Sequence, residues 1–67
     1  MMDGANRMEF LQVEVVNASG WGLWCRVGDK VVGISPRRLL PGTTIGRSGD
    51  IGTLVLERTL AMALDLA

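Results

Sequence analysis

The sequence predicts a mainly β fold: a small SH3-like or OB-like barrel of four or five short antiparallel strands with a C-terminal helix. Three observations carry this. Apolar and polar residues alternate from Phe10 to Val16. Glycine-rich turns then break the chain at short intervals, as in all-β domains. Last, Glu57 to Leu66 is apolar with helical spacing.

The elements follow in order. Met1 to Arg7 is polar, holds a glycine and an asparagine, and reads as a flexible lead-in; Met8 is an alternative start. Residues 8–67 form a single domain. In the first strand Leu11, Val13 and Val15 share one face, with Gln12 and Glu14 on the other. Asn17-Ala18-Ser19-Gly20 is turn chemistry. The second strand, Trp21 to Val27, sets Trp21, Leu23, Cys25 and Val27 against Gly22, Trp24 and Arg26. Gly28-Asp29 suits a two-residue primed turn into a third strand, Lys30 to Ile34.

Ser35-Pro36 opens a short helical turn, since proline at the first helical position lacks only an N–H that would have no partner there. Pro41-Gly42 ends it, and Thr43 to Ile45 is at best a short strand. Gly46 to Asp50 is a loop, and Ile51 to Leu56 the last strand. In the helix Leu60, Ala61 and Leu64 share a face while Met62, Ala63 and Leu66 fill the others, a pattern that demands burial on more than one side. The expected core is Leu11, Val13, Val15, Trp21, Leu23, Val27 and the Ile51–Leu56 strand.

Size then sets a problem. The chain has 67 residues and is 48% apolar before its nine glycines are counted. Ordinary domains reach about 45–50% with glycine included. A domain this small hides only about 60% of its unfolded surface. The surplus points to a partner surface, most simply a second copy, giving a homo-oligomer. Leu60, Met62, Leu64 and Leu66 are the expected oligomer interface, together with a sheet edge.

Seven basic and seven acidic residues give net zero, which argues against a dedicated nonspecific nucleic-acid binder. The charge is uneven, however. Residues 21–49 hold Arg26, Lys30, Arg37, Arg38 and Arg47 against Asp29, between two acidic ends. The lone Cys25 excludes an intramolecular disulfide, and a reducing cytoplasm is the expected compartment. No signal peptide and no membrane-spanning run is seen.

Val32-Gly33-Ile34-Ser35-Pro36-Arg37, Gly49-Asp50-Ile51-Gly52-Thr53-Leu54, Leu60-Ala61 and Leu66 resemble the pattern of a group of short bacterial and phage proteins. In that group a hairpin ends in an isoleucine-proline-basic turn, and a Gly-Asp-x-Gly-x-Leu strand leads into a helix. The resemblance covers residues 10–67 and implies a compact β fold with a C-terminal helix, and no activity. Glu57, Thr59 and Asp65 depart from it, where proline, tryptophan and glycine are usual. Gly22-Leu23-Trp24-Cys25 and Gly33-Ile34-Ser35 also look similar to the S1-type RNA-binding barrel, without its Phe and His platform.

Candidate chemistry is sparse. Gly42 to Ser48 echoes a phosphate-binding loop but has three residues between its glycines where four are needed, and Arg47 for lysine. Cys25 has no histidine anywhere in the chain to act as its base, and reads as a buried thiol. One thiol without histidine assembles no zinc site. Asp29 and Asp50 follow glycines and read as turn residues. No catalytic, cofactor-binding or metal-binding residue is assigned. What remains is Trp24, Arg26, Arg37, Arg38 and Arg47, a set able to contact nucleic acid or another anion. The expectation is therefore a small non-enzymatic interaction module that self-associates through its helix and a sheet edge. The alternative is a small nucleic-acid-binding barrel using that tryptophan and those arginines.

Overall fold

The computed structural model describes residues 6–66. Its elements are β1 (Arg7–Ala18), β2 (Leu23–Val27), β3 (Lys30–Ile34), a 3-10 turn (Pro36–Arg38), β4 (Ile51–Glu57) and α1 (Arg58–Ala63). The four strands form one antiparallel sheet in the order β3-β2-β1-β4. The protein is thus mainly β, an open sheet with a short C-terminal helix. Of the lead-in expected over residues 1–7, residues 1–5 lie outside the described residues. Arg7 already opens β1, and its Nη2 donates to the Pro41 carbonyl at 2.7 Å.

β1 serves two partners. Arg7 to Glu14 pairs with β4, and Glu14 to Ala18 pairs with β2. Two bulges let it do so. The first lies between Phe10 and Val13, where Gln12 takes a left-handed φ of 57°. An inserted residue breaks the period of two. Phe10 and Val13, three positions apart, therefore both face the core, and Leu11 is turned out, 71% exposed. The simple alternation that put Leu11 inside fails at this point. A second bulge follows between Val15 and Asn17.

The β2–β3 hairpin matches its sequence. Gly28 has φ 65° while Asp29 stays at negative φ, the pattern of a II′ turn with glycine first. β2, however, starts at Leu23 rather than Trp21. Gly20, Trp21 and Gly22 belong to a turn closed by the Ser19 N–H on the Gly22 carbonyl (2.9 Å) and by the Gly22 N–H on Ser19 Oγ (3.2 Å). Trp21 is therefore outside the alternation and 87% exposed rather than in the core.

The core lies on one face of the sheet: Val13, Val15, Leu23, Cys25, Val32, Ile34, Ile45, Leu54 and Leu56. Phe10, Val27, Leu39, Leu60, Leu64 and Leu66 pack around it. Within the strand expected at Ile51–Leu56, Ile51 is exposed. Val55, on the face opposite Leu54 and Leu56, is buried beneath the loop at Gly42, where an added Cβ would meet the Val55 Cγ2 at 3.2 Å.

α1 is shorter than the expected Glu57–Leu66. It ends in a Schellman motif: the Asp65 N–H reaches the Met62 carbonyl (3.0 Å) and the Leu66 N–H the Ala61 carbonyl (2.8 Å). Asp65 holds the left-handed position, φ 65°, that glycine usually fills. The return brings Leu66 back onto the core.

Thr43 to Ile45 is not a strand, yet it closes the outer edge of β4. The Leu40 N–H reaches the Val55 carbonyl (3.1 Å), and the Thr44 N–H reaches the Thr53 carbonyl (2.9 Å). Thr43 Oγ1 accepts from the Val55 N–H (3.0 Å), and Thr44 Oγ1 accepts from the Thr53 N–H (2.9 Å). Two threonine hydroxyls replace the backbone acceptors of a fifth strand.

Thr43→Val keeps the shape of the side chain but strands the N–H of fully buried Val55. The expected cost is about 1–3 kcal/mol in a urea titration, with lost exchange protection at the Val55 amide. An unchanged midpoint would show that the hydroxyl is not what satisfies that edge. At the helix end, Asp65→Ala and Asp65→Gly both remove the carboxylate. Only alanine is strained at positive φ, so Asp65→Ala should melt at the lower temperature. Equal melting temperatures would sink the assignment of strain to Asp65.

Candidate functional site

With the β4 edge closed, β3 is the other end of the sheet. Its register fixes which backbone groups it leaves free. The two-residue turn makes Val27–Lys30 a hydrogen-bonded pair, and the bonded pairs recur at Cys25–Val32 and Leu23–Ile34. Lys30, Val32 and Ile34 thus point their N–H and C=O groups at β2. Val31 and Gly33 point theirs outward. Among the described residues, no backbone hydrogen bond from outside the hairpin reaches either one.

Exposed edges are usually blunted by shortness, a proline, a bulge or a charged side chain. β3 has neither proline nor bulge. Its one charge, Lys30, stands at its first position, and the ammonium is drawn to Asp65, donating to Oδ2 at 2.9 Å and to the carbonyl at 3.3 Å. That ammonium holds the Asp65 carboxyl below the usual range, first through the hydrogen bond and then through its charge.

The sheet face away from the core carries the side chains beside this edge. Register places Ile51, Glu14, Arg26 and Val31 in one row across the four strands, and Asn17, Trp24 and Gly33 in the next. Arg26 Nη1 donates to Glu14 Oε1 at 2.8 Å in the middle of the first row. The apolar Ile51 and Val31 stand exposed at its ends. In the second row the Trp24 indole lies over Gly33, so closely that any Cβ there would overlap the ring. Gly33 is glycine for this reason: its bare backbone lets the indole extend to the sheet's edge. Trp24 is 44% exposed and Val31 is 52% exposed.

The five residues expected to contact nucleic acid or another anion divide by partner. Arg26 is held by Glu14, and Arg38 Nη2 lies 3.2 Å from Glu57 Oε1. Arg47 sits in a tight loop where Asp50 Oδ2 accepts the Gly46 and Arg47 N–H groups, each at 2.9 Å. Those two hydrogen bonds hold the Asp50 carboxyl below its ordinary range, with the Arg47 charge adding to them. Arg37 lines a shallow notch of about 330 Å³ with Gly20, Trp21, Ser35 and Pro36. Trp21, missed as a surface residue, is the aromatic that joins it. Its flanking glycines were the available signal, since a residue between two glycines is poorly held in a strand.

The expected oligomer interface also divides. Leu60, Leu64 and Leu66 pack against the chain's own core, and Met62 is exposed. Cys25 is buried, and that burial pushes its thiol up. Among the described residues no group of three or more Cys, Asp or Glu is placed to hold a metal ion, and no helix is long and apolar enough to cross a membrane. Comparison of the chain with known protein families, with curated proteins and with solved structures finds no match.

Proposed function

We propose that the protein is a small non-enzymatic interaction module of the cytoplasm that self-associates by adding a strand at β3. The observation that carries this is the contrast between its two sheet edges. One is sealed with threonine hydroxyls, and the other offers Val31 and Gly33 backbone groups with neither proline nor bulge, its one charge, Lys30, being paired with Asp65. Of the two surfaces expected from sequence, the edge supports the reading better than the helix, whose leucines are engaged internally. Trp24 and Val31 beside the edge supply apolar surface of the kind the composition has in excess. A long β1 bent by two bulges fits a half-closed barrel of the SH3-like or OB-like kind, with β3 as its open lip.

Light scattering should show a dimer whose population rises with concentration. Val31→Lys puts a solvated charge on the edge and should weaken association by about tenfold or more without lowering the melting temperature measured where the chain is monomeric. Met62→Asp, on the exposed side of α1, should leave association unchanged. Loss of the dimer in Met62→Asp but not in Val31→Lys would move the interface to the helix, and a strict monomer would end the reading.

A second reading, a nucleic-acid-binding module, is favoured by the notch that exposed Trp21 and Arg37 both line. A base on the ring with its phosphate on the arginine is the contact such a pair makes. It predicts that a single-stranded oligonucleotide binds at low salt and is released as salt rises. The double variant Trp21→Ala, Arg37→Glu should abolish that binding, and no binding by the parent chain at low salt would remove this reading.

A further inference from the structure

We infer that two copies pair β3 against β3 in antiparallel register about a two-fold axis through Val32, and that Trp24 of each copy covers Val31 of the other. This rests on the self-association reading and adds its geometry. Val31 and Gly33 each present one donor and one acceptor outward, two positions apart. An antiparallel partner needs that same spacing, so the edge is complementary to itself. Centring the pair on Val32 sets Val31 opposite Gly33 of the second copy, and the reverse, as hydrogen-bonded pairs. Four backbone hydrogen bonds result. Val32 meets Val32 as the intervening non-bonded pair, with Cα atoms about 4.5 Å apart.

The side chains agree on both faces. On the outer face, Gly33 lies between Trp24 of its own copy and Val31 of the second. Because the indole already covers Gly33, its far edge arrives one strand spacing, about 4.8 Å, from that valine's backbone. The half-exposed ring and the half-exposed valine then cover each other, twice by symmetry. On the core face the row Val15, Cys25, Val32 continues into Val32, Cys25 and Val15 of the second copy. Charge agrees as well. Lys30 falls opposite Ile34 of the second copy, away from the other Lys30, and its ammonium is already neutralised by Asp65.

Hydrogen exchange followed by NMR at high and low protein concentration tests the pairing. The Val32 amide, bonded within the hairpin, should be protected at both concentrations. The Val31 and Gly33 amides should be protected only at high concentration. A sample mixing isotope-labelled and unlabelled chains should show contact between the two Val32 Hα protons. Gly33→Ala, whose methyl displaces the indole, should weaken the dimer by about tenfold or more while the chain stays folded. A dimer whose Val31 and Gly33 amides exchange freely would overturn this geometry and leave self-association standing. A Val32 proton in contact with any other residue of the second copy would overturn the register. A chain monomeric at every concentration would overturn both.

Discussion

The bulge at Leu11–Gln12 is the constraint from which the rest of the sheet follows. β1 must bury side chains against β4 over its first half and against β2 over its second. A regular strand of that length would carry its apolar set onto the wrong face, because Phe10 and Val13 are an odd number of residues apart. One left-handed residue corrects the phase. It also adds local twist and bends the strand. The cost is an exposed Leu11 and a non-glycine residue in a disfavoured conformation. In return β1 can bridge the two halves of a chain too short for a second sheet.

Once β1 is placed at the centre, β3 and β4 become the sheet's two ends, and the chain treats them differently. The segment after the Pro36–Arg38 turn runs back along β4 and closes it with two hydroxyls and two amides. Nothing comparable accompanies β3 among the described residues. The surrounding side chains repeat the asymmetry. Val55, beside the sealed edge, is fully buried beneath the loop at Gly42, while Val31, beside the open one, is exposed next to a tryptophan. The apolar surplus of the composition is thus partly used by α1, whose leucines complete the core. Of what is left over, Trp24 and Val31 stand beside β3, while Leu11, Trp21, Ile51 and Met62 are exposed elsewhere.

The strands and the hairpin turn were readable before the structure, whereas a bulge, a side-chain-closed turn, the helix end and the strand order were not. The β2–β3 hairpin was legible because its turn is encoded by one glycine at the position that needs positive φ. The burial of Cys25 followed from alternation within β2. Leu11 was misplaced because the bulge sits on glutamine, a residue with no special preference for it. Trp21 was misplaced because a serine hydroxyl, invisible to periodicity, closes a turn around it. The helix was read four residues too long, three of them at its C-terminal end, since apolar content continues past the left-handed Asp65. The threonine seal and the open edge depend on strand order, which is set by contacts between residues far apart in sequence. Trp24 was legible as a surface aromatic, whereas Val31 became a candidate residue only when its strand proved to be at the sheet's edge.

The threonine seal has a consequence for stoichiometry. A sheet with two open ends accepts a neighbour at each, and copies can then add without limit, which is the geometry of a fibril. A sheet with one open end is a chain terminator: its first pairing uses the only growth point. Thr43 and Thr44 lie across the sheet from β3, yet in the proposed pairing they are what keeps assembly finite. They separate a discrete particle from an unbounded one.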